Sequence, residues 1–362
     1  MDETMTRKDF LQTVAGTAAS VALITSSAAE AASKSKLRRG VSLYSYQEVY
    51  YARLMSLEDC LREANAIGAS SIEMLAEEMV VDFPNPPEQW VGQFKNWMEK
   101  YELEADTYTQ FQETVIVKGQ DQPIDQGVAM MERDLKLANR LGFKNMRLLI
   151  GTPIDVVERA IPLAEKYGVW MGFEIHAPNQ ITSKLIGRWV EMIERNKTQN
   201  VGIIPDFSIF QKWPNPATRD RNVREGILTK DIAGYIENAR KGGESREKVR
   251  AEVSKRNPLP GDTRYVEQVY NVAMQDPKSL IPLKPYIRHF HAKFWDMTED
   301  CLESSIPYDE IIPVLTEAGL DASLASEYEG QRDKQDIVRD GYDELEQVRR
   351  HHVMLRRLLG EA

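Results

Sequence analysis

Lys166-Tyr167-Gly168-Val169-Trp170-Met171-Gly172-Phe173-Glu174-Ile175-His176 holds the decisive reading of this chain. An amphipathic helix ends on a glycine, a β-rich run follows at once, and the run closes on an acid and a histidine. Glycine suits the helix C′ position, where φ is positive and a Cβ is costly. The same phrase recurs as Ala66-Ile67-Gly68 before Ser70–Met74, as Arg140-Leu141-Gly142 before Asn145–Ile150, and as Glu317-Ala318-Gly319 before Ala322–Glu327. Helix starts are marked too: Ser56 stands three residues before Asp59, and Thr152-Pro153 supplies a cap and a first-turn proline.

Working outward, strands are expected near Val41–Tyr46, Ser70–Met74, Glu104–Gln110, Asn145–Ile150, Val169–Ile175, Val201–Asp206, Ile287–Ala292 and Ala322–Glu327. Single helices between strands impose parallel pairing through right-handed crossovers, so the class is α/β. Eight such units predict a (β/α)8 TIM barrel over residues 38–330. A doubly wound sheet would want a glycine-rich phosphate loop after its first strand, and Tyr44-Ser45-Tyr46-Gln47-Glu48 has no glycine.

Two segments stand outside the repeat. Between the sixth and seventh strands lie roughly eighty residues, an insertion at about 210–280, far beyond an ordinary loop. It is locally basic (Arg240, Lys241, Arg246, Lys248, Arg250, Lys255, Arg256) and, because it follows a strand, it is expected to overhang the catalytic face as a lid or docking surface. Residues 331–362 are expected to form a C-terminal helix, with His351 and His352 at its surface. At the other end, Arg7-Lys8, an alanine-rich apolar stretch from Val14 to Ile24 and Ala29-Glu30-Ala31 resemble a twin-arginine-like signal peptide over residues 1–31. The expected protein is therefore exported to the periplasm and begins near Ala32; without a working leader it would stay in the cytoplasm.

The 362-residue chain is 42% hydrophobic and carries a net charge of −10, which disfavours nucleic acid as partner because phosphate binding needs a basic face. Beyond the leader no apolar run approaches the about 20 residues of a membrane span. The two cysteines, Cys60 and Cys301, could pair but make no disulfide framework.

The last four strands end in Glu174, Asp206, His291 and Glu327, and in a barrel these ends converge on one mouth. Three carboxylates and an imidazole suit one hard divalent ion, Mn²⁺ foremost, with Mg²⁺, Co²⁺ or Fe²⁺ as alternatives. Beside a sugar carbonyl such an ion acts as a Lewis acid, and a neighbouring group must move a proton. His176 and Lys293 each lie two residues beyond a ligand, on the same side of the strand, and are the catalytic candidates. Tyr44, Glu73 and Gln110 sit near earlier strand ends as candidate contacts to sugar hydroxyls.

The segments Phe173–Pro178, Pro205-Asp206-Phe207-Ser208, Arg288-His289-Phe290-His291-Ala292-Lys293 and Ser326–Gly330 resemble the xylose-isomerase-like TIM-barrel superfamily of sugar isomerases and epimerases. The resemblance makes His291, rather than His289, the metal ligand, and Glu327 the last one, with Glu329 a near alternative and a substrate contact. Within that group, Val41–Gln47, Glu174-Ile175-His176 and His291–Trp295 look closest to the α subunits of C-glycoside deglycosidases. That likeness implies lyase-type cleavage of a 3-keto C-glycoside through an enolate, in a complex with a small β-type subunit; a homo-oligomer is the alternative. A sugar isomerase or epimerase is the second reading, disfavoured because Ile209 stands where ketose epimerases carry a histidine. A non-catalytic sugar-binding barrel is the third, and it has no need of four metal ligands.

Overall fold

The computed structural model describes residues 36–112, 114, 120–330 and 343–361. The expected leader, residues 1–31, lies outside them, as does the first part of the expected C-terminal segment.

Eight parallel strands form one sheet: β1 (Arg38–Ser42), β2 (Ser71–Leu75), β3 (Glu104–Gln110), β4 (Asn145–Leu148), β5 (Trp170–Ile175), β6 (Val201–Pro205), β7 (His289–Phe294) and β8 (Ser323–Tyr328). Their order is β6-β5-β4-β3-β2-β1-β8-β7. The ring closes between β6 and β7 through the parallel bridges Ile203–Ile287 and Asp206–His291. This is the expected (β/α)8 TIM barrel. Gly142 and Gly168 end their helices at φ 94° and 65°, the left-handed conformation in which a side chain is strained. Ser56 and Asp59 form a reciprocal capping box. Pro153, by contrast, is itself the N-cap of the helix Ile154–Tyr167 and offers no side-chain cap.

Packing sets the barrel's lower interior. Trp170 is buried inside it, and a Cβ on Gly172 or Gly202 would meet its ring at 2.3 Å, so both positions must be glycine for the ring to fit. Outside the ring, alternate strand residues bury against helices; Phe173, for instance, stacks on Trp189 at 4.1 Å between ring centres. β1 is shorter and earlier than expected, because Leu43–Tyr46 turn into a 3-10 helix. Cys60 is buried, Cys301 is partly exposed, and the two are unpaired.

The insertion folds as four helices, Pro216–Arg224, Lys230–Lys241, Arg246–Ser254 and Pro260–Tyr270. They close on an apolar cluster of their own that includes Ile236, Val249, Val253 and Val266. Gln275 ties the following chain to the barrel, accepting from Ile181 N at 2.7 Å and donating to the Asn179 carbonyl at 3.0 Å. No helix among the described residues is long and apolar enough to cross a membrane.

The helix Glu344–Leu359 corrects one expectation outright. His351 and His352 are buried, not at the surface. His351 stacks on Phe294 at 4.1 Å and its Nδ1 lies 2.8 Å from Ser326 Oγ, while His352 Nδ1 lies 2.9 Å from Arg39 Nη1. Burial pushes the His351 pKa far down; burial and the Arg39 charge bring His352 to about 3. Both rings are therefore neutral in the fold, whereas an unfolded histidine titrates near 6.5. Their contribution is present above that value and is lost as pH falls below it, because only the unfolded state takes up the protons. We predict a loss on the order of 1–2 kcal/mol per histidine by pH 5. Thermal unfolding at pH 7.5 and 5 checks this: His351→Gln should be less stable at pH 7.5 yet lose less on acidification. An unchanged difference between the two pH values would refute the assignment.

Candidate metal centre and active site

Strand alternation puts Glu174, Asp206, His291, Lys293 and Glu327 at the C-terminal mouth, on four neighbouring strand ends, and all of them are buried. One ligand atom from each of Glu174, Asp206, His291 and Glu327 fits within 4.8 Å of the others. His291 Nδ1 stands 2.8 Å from a Glu174 oxygen, 3.0 Å from a Glu327 oxygen and 4.0 Å from an Asp206 oxygen. Yet Glu174 Oε1, Asp206 Oδ2, His291 Nδ1 and Glu327 Oε2 all lack a hydrogen bond of good geometry. Four buried polar atoms aimed at one point and left without such bonds are what an ion site leaves. In an octahedron with ligands at about 2.1 Å, adjacent ligand atoms sit about 3 Å apart and opposite ones about 4.2 Å apart; the Glu174 and Glu327 separations match the first and the Asp206 separation lies nearer the second. The residues fit a divalent cation.

Electrostatics around the quartet say the same. Burial works against ionisation of Glu174, but the Arg147 guanidinium, 2.8 Å away, and His291 hold its carboxyl down at about 2. Burial is likewise overcome at Glu327, which His291 and Lys293 keep well below the usual range. Asp206 goes the other way. Desolvation pushes it up to about 6, with Glu327 and Glu174 adding to the rise against the opposing pull of Lys293. The Lys293 ammonium is shared among Asp206 (2.8 Å), Glu329 (3.2 Å) and Glu327 (3.3 Å), so it compensates none of them fully.

Above the quartet opens a cavity of roughly 340 Å³. Tyr44, Glu73, His176, Lys293, Glu327 and Glu329 line it, with Leu75, Phe111 and Leu149 as an apolar wall. His176 Nδ1 lies 2.7 Å from the Ala177 carbonyl, which can only accept, so this nitrogen carries a proton and Nε2 is the ring atom that can offer a lone pair. Gln110 is placed elsewhere. It is buried but does not line the cavity, and its amide donates to Gln112 Oε1 at 3.0 Å. The insertion differs from expectation as well: none of its four helices lines the cavity, because they pack on their own apolar cluster.

Sequence reading missed Arg147. Its place on β4 between Met146 and Leu148 was a signal, since an arginine within a core strand needs a buried carboxylate partner. It also missed the pairing of His289 with Asp106 and Glu73, whose residues are far apart in sequence.

Fold and mouth together define a TIM barrel with a buried carboxylate and histidine cluster at its C-terminal end, and the chain belongs to the xylose isomerase-like TIM barrel family, whose family model matches residues 61–348. It is similar to the 3'-dehydrocarminate deglycosidase alpha subunit of a Microbacterium species, 28% identical over 349 residues, covering 90% of this chain and 96% of that one. A C-glycoside deglycosidase alpha subunit of Arthrobacter globiformis is 26% identical over 322 residues, covering 83% and 88%. Among solved structures, an L-ribulose 3-epimerase superposes with a TM-score of 0.51 at 11% identity, covering 90% and 95% of the two chains. A sugar phosphate isomerase/epimerase from Parabacteroides distasonis gives 0.51 at 14% identity, covering 89% and 93%. At such identities these structures speak for the fold.

The quartet predicts one Mn²⁺ per chain in a calorimetric titration. Asp206→Ala and His291→Ala should each abolish binding while remaining folded by circular dichroism. Full stoichiometry in both variants would refute the ligand assignment.

Proposed function

We propose that this protein is a divalent-metal-dependent lyase that cleaves a 3-keto glycoside, a C-glycoside foremost, by removing the proton next to the ketone. The single observation carrying this reading is the quartet of converging buried donor atoms, none with a hydrogen bond of good geometry, at the floor of the cavity. The names of the similar alpha subunits, one a deglycosidase of 3'-dehydrocarminate and the other of C-glycosides, support the substrate class.

Glu174, Asp206, His291 and Glu327 would hold the cation. When bound, it supplies Lewis-acid stabilisation of negative charge developing on a sugar oxygen. His176, through Nε2, takes the proton from C2, and the C–H electrons pass toward the C3 carbonyl oxygen. The enolate electrons then return to form the C1–C2 double bond as the bond from C1 to the aglycone breaks. The departing carbon takes that electron pair, and protonated His176 can return a proton to it. Lys293 links the quartet to the cavity through Glu329 and stands where a substrate oxygen would enter. The apolar wall of Leu75, Phe111 and Leu149 suits an aromatic aglycone.

The alpha-subunit names also support a second chain in the working assembly, either a small β-type subunit or another copy. The assay therefore uses both the assembly purified from the native host and the chain alone, each loaded with Mn²⁺. Paired C- and O-glycosides, native and 3-keto, and a free ketose are supplied, with products followed by mass. The proposal expects aglycone release from the 3-keto substrates. In His176→Ala that release should drop by about 10²–10⁴-fold with metal content unchanged. Epimerised free ketose with no aglycone release would establish the isomerase reading instead.

A further inference from the structure

Two buried clusters at the mouth have metal-ligand composition: the quartet, and Glu73 with His289 and His291. They differ in one respect. The quartet's facing atoms lack hydrogen bonds of good geometry, whereas the oxygens of Glu73 are supplied. Thr109 Oγ1 donates to Glu73 Oε1 at 2.6 Å. Glu73 Oε2 lies 2.7 Å from His291 Nε2 and 3.1 Å from His289 Nε2. Behind it, His289 Nδ1 lies 2.7 Å from Asp106 Oδ2, and Asp106 is itself held by Thr107 Oγ1 at 2.9 Å and Asn145 Nδ2 at 3.1 Å. A cation among Glu73, His289 and His291 would have to displace bonds already made.

We infer that Glu73, backed by His289 and Asp106, is a positioning residue that fixes His291 as the Nε2–H tautomer with its Nδ1 lone pair aimed into the quartet. The inference deepens, and rests on, the reading of the quartet as a cation site. The need for it follows from donor and acceptor counting. Three carboxylates face His291 Nδ1, and alone they would attract a proton onto that nitrogen, where it would block ligation. Glu73 competes for the same proton from the opposite edge of the ring and lies closer than any of them. His289 sits between Glu73 and Asp106, with one carboxylate at each ring nitrogen, and this pairing holds Glu73 in place. Glu73 was expected to touch sugar hydroxyls; with both its oxygens occupied, its role is toward the ligand.

The test is Mn²⁺ affinity by calorimetry for wild type, Glu73→Ala and Glu73→Gln, beside the melting temperature of each metal-free protein. Glu73→Ala should weaken Mn²⁺ binding by about 10–100-fold. Glu73→Gln should recover most of that loss, since its amide oxygen can still accept from His291 Nε2. A merely structural role would lower both melting temperatures and leave affinity untouched, overturning the inference. Wild-type affinity in Glu73→Ala would do the same while the quartet reading survives. Failure of wild type to bind Mn²⁺ would overturn both. Should Glu73→Ala not fold, ¹⁵N-histidine spectra of the Mg²⁺-loaded wild type decide among only five histidines. A proton on His291 Nε2 supports the tautomer assignment, and a proton on Nδ1 overturns it.

Discussion

Three carboxylates buried around one point are the constraint on which the rest of this structure depends. Two like charges 4 Å apart repel by about 4 kcal/mol even where the effective dielectric is near 20, and burial removes the water that would otherwise screen them. Glu174, Asp206 and Glu327 can stay ionised together only if positive charge is brought to them. The protein brings Arg147 from β4 and Lys293 from β7, and against the pull of Lys293 burial, with the repulsion of Glu327 and Glu174, still raises Asp206 to about 6. A divalent cation among the four facing atoms would complete the balance.

The barrel makes that arrangement possible because its strand ends converge while its helices stay outside. Closure between β6 and β7 matters most, since the Asp206–His291 bridge sets two of the four quartet residues side by side. Aromatic packing on the far sides of the same strands, Phe173 on Trp189 and Phe294 on His351, fixes the faces that turn inward. The chain thus ties its chemistry to its core. The imidazole of His351 is held neutral against the back of the strand whose front carries His291 and Lys293.

Much of this was legible from the residues because it is local. Helix-ending glycines followed by β-rich runs disclose a parallel α/β repeat, and a polar residue closing each late strand discloses the mouth. Strand β7 lies two residues later than expected, yet a shift of two preserves the face, so His291 still points inward. What could not be read was pairing across the barrel. The links of Arg147 to Glu174, Glu73 to His291, and Asp106 to His289 join strands that sequence separates by tens to hundreds of residues. His351 and His352 misled because arginines precede them. Their spacing from Val348 and Leu355 already fitted the helix's apolar face, and a histidine on such a face is a core residue when a hydroxyl or guanidinium can satisfy it.

Anomalous diffraction from crystals grown with Mn²⁺ tests the central claim most directly. The account predicts one peak among Glu174 Oε1, Asp206 Oδ2, His291 Nδ1 and Glu327 Oε2, with Lys293 drawn back from Asp206. A peak ligated instead by Glu73 and His289, or no peak at saturating Mn²⁺, would contradict it.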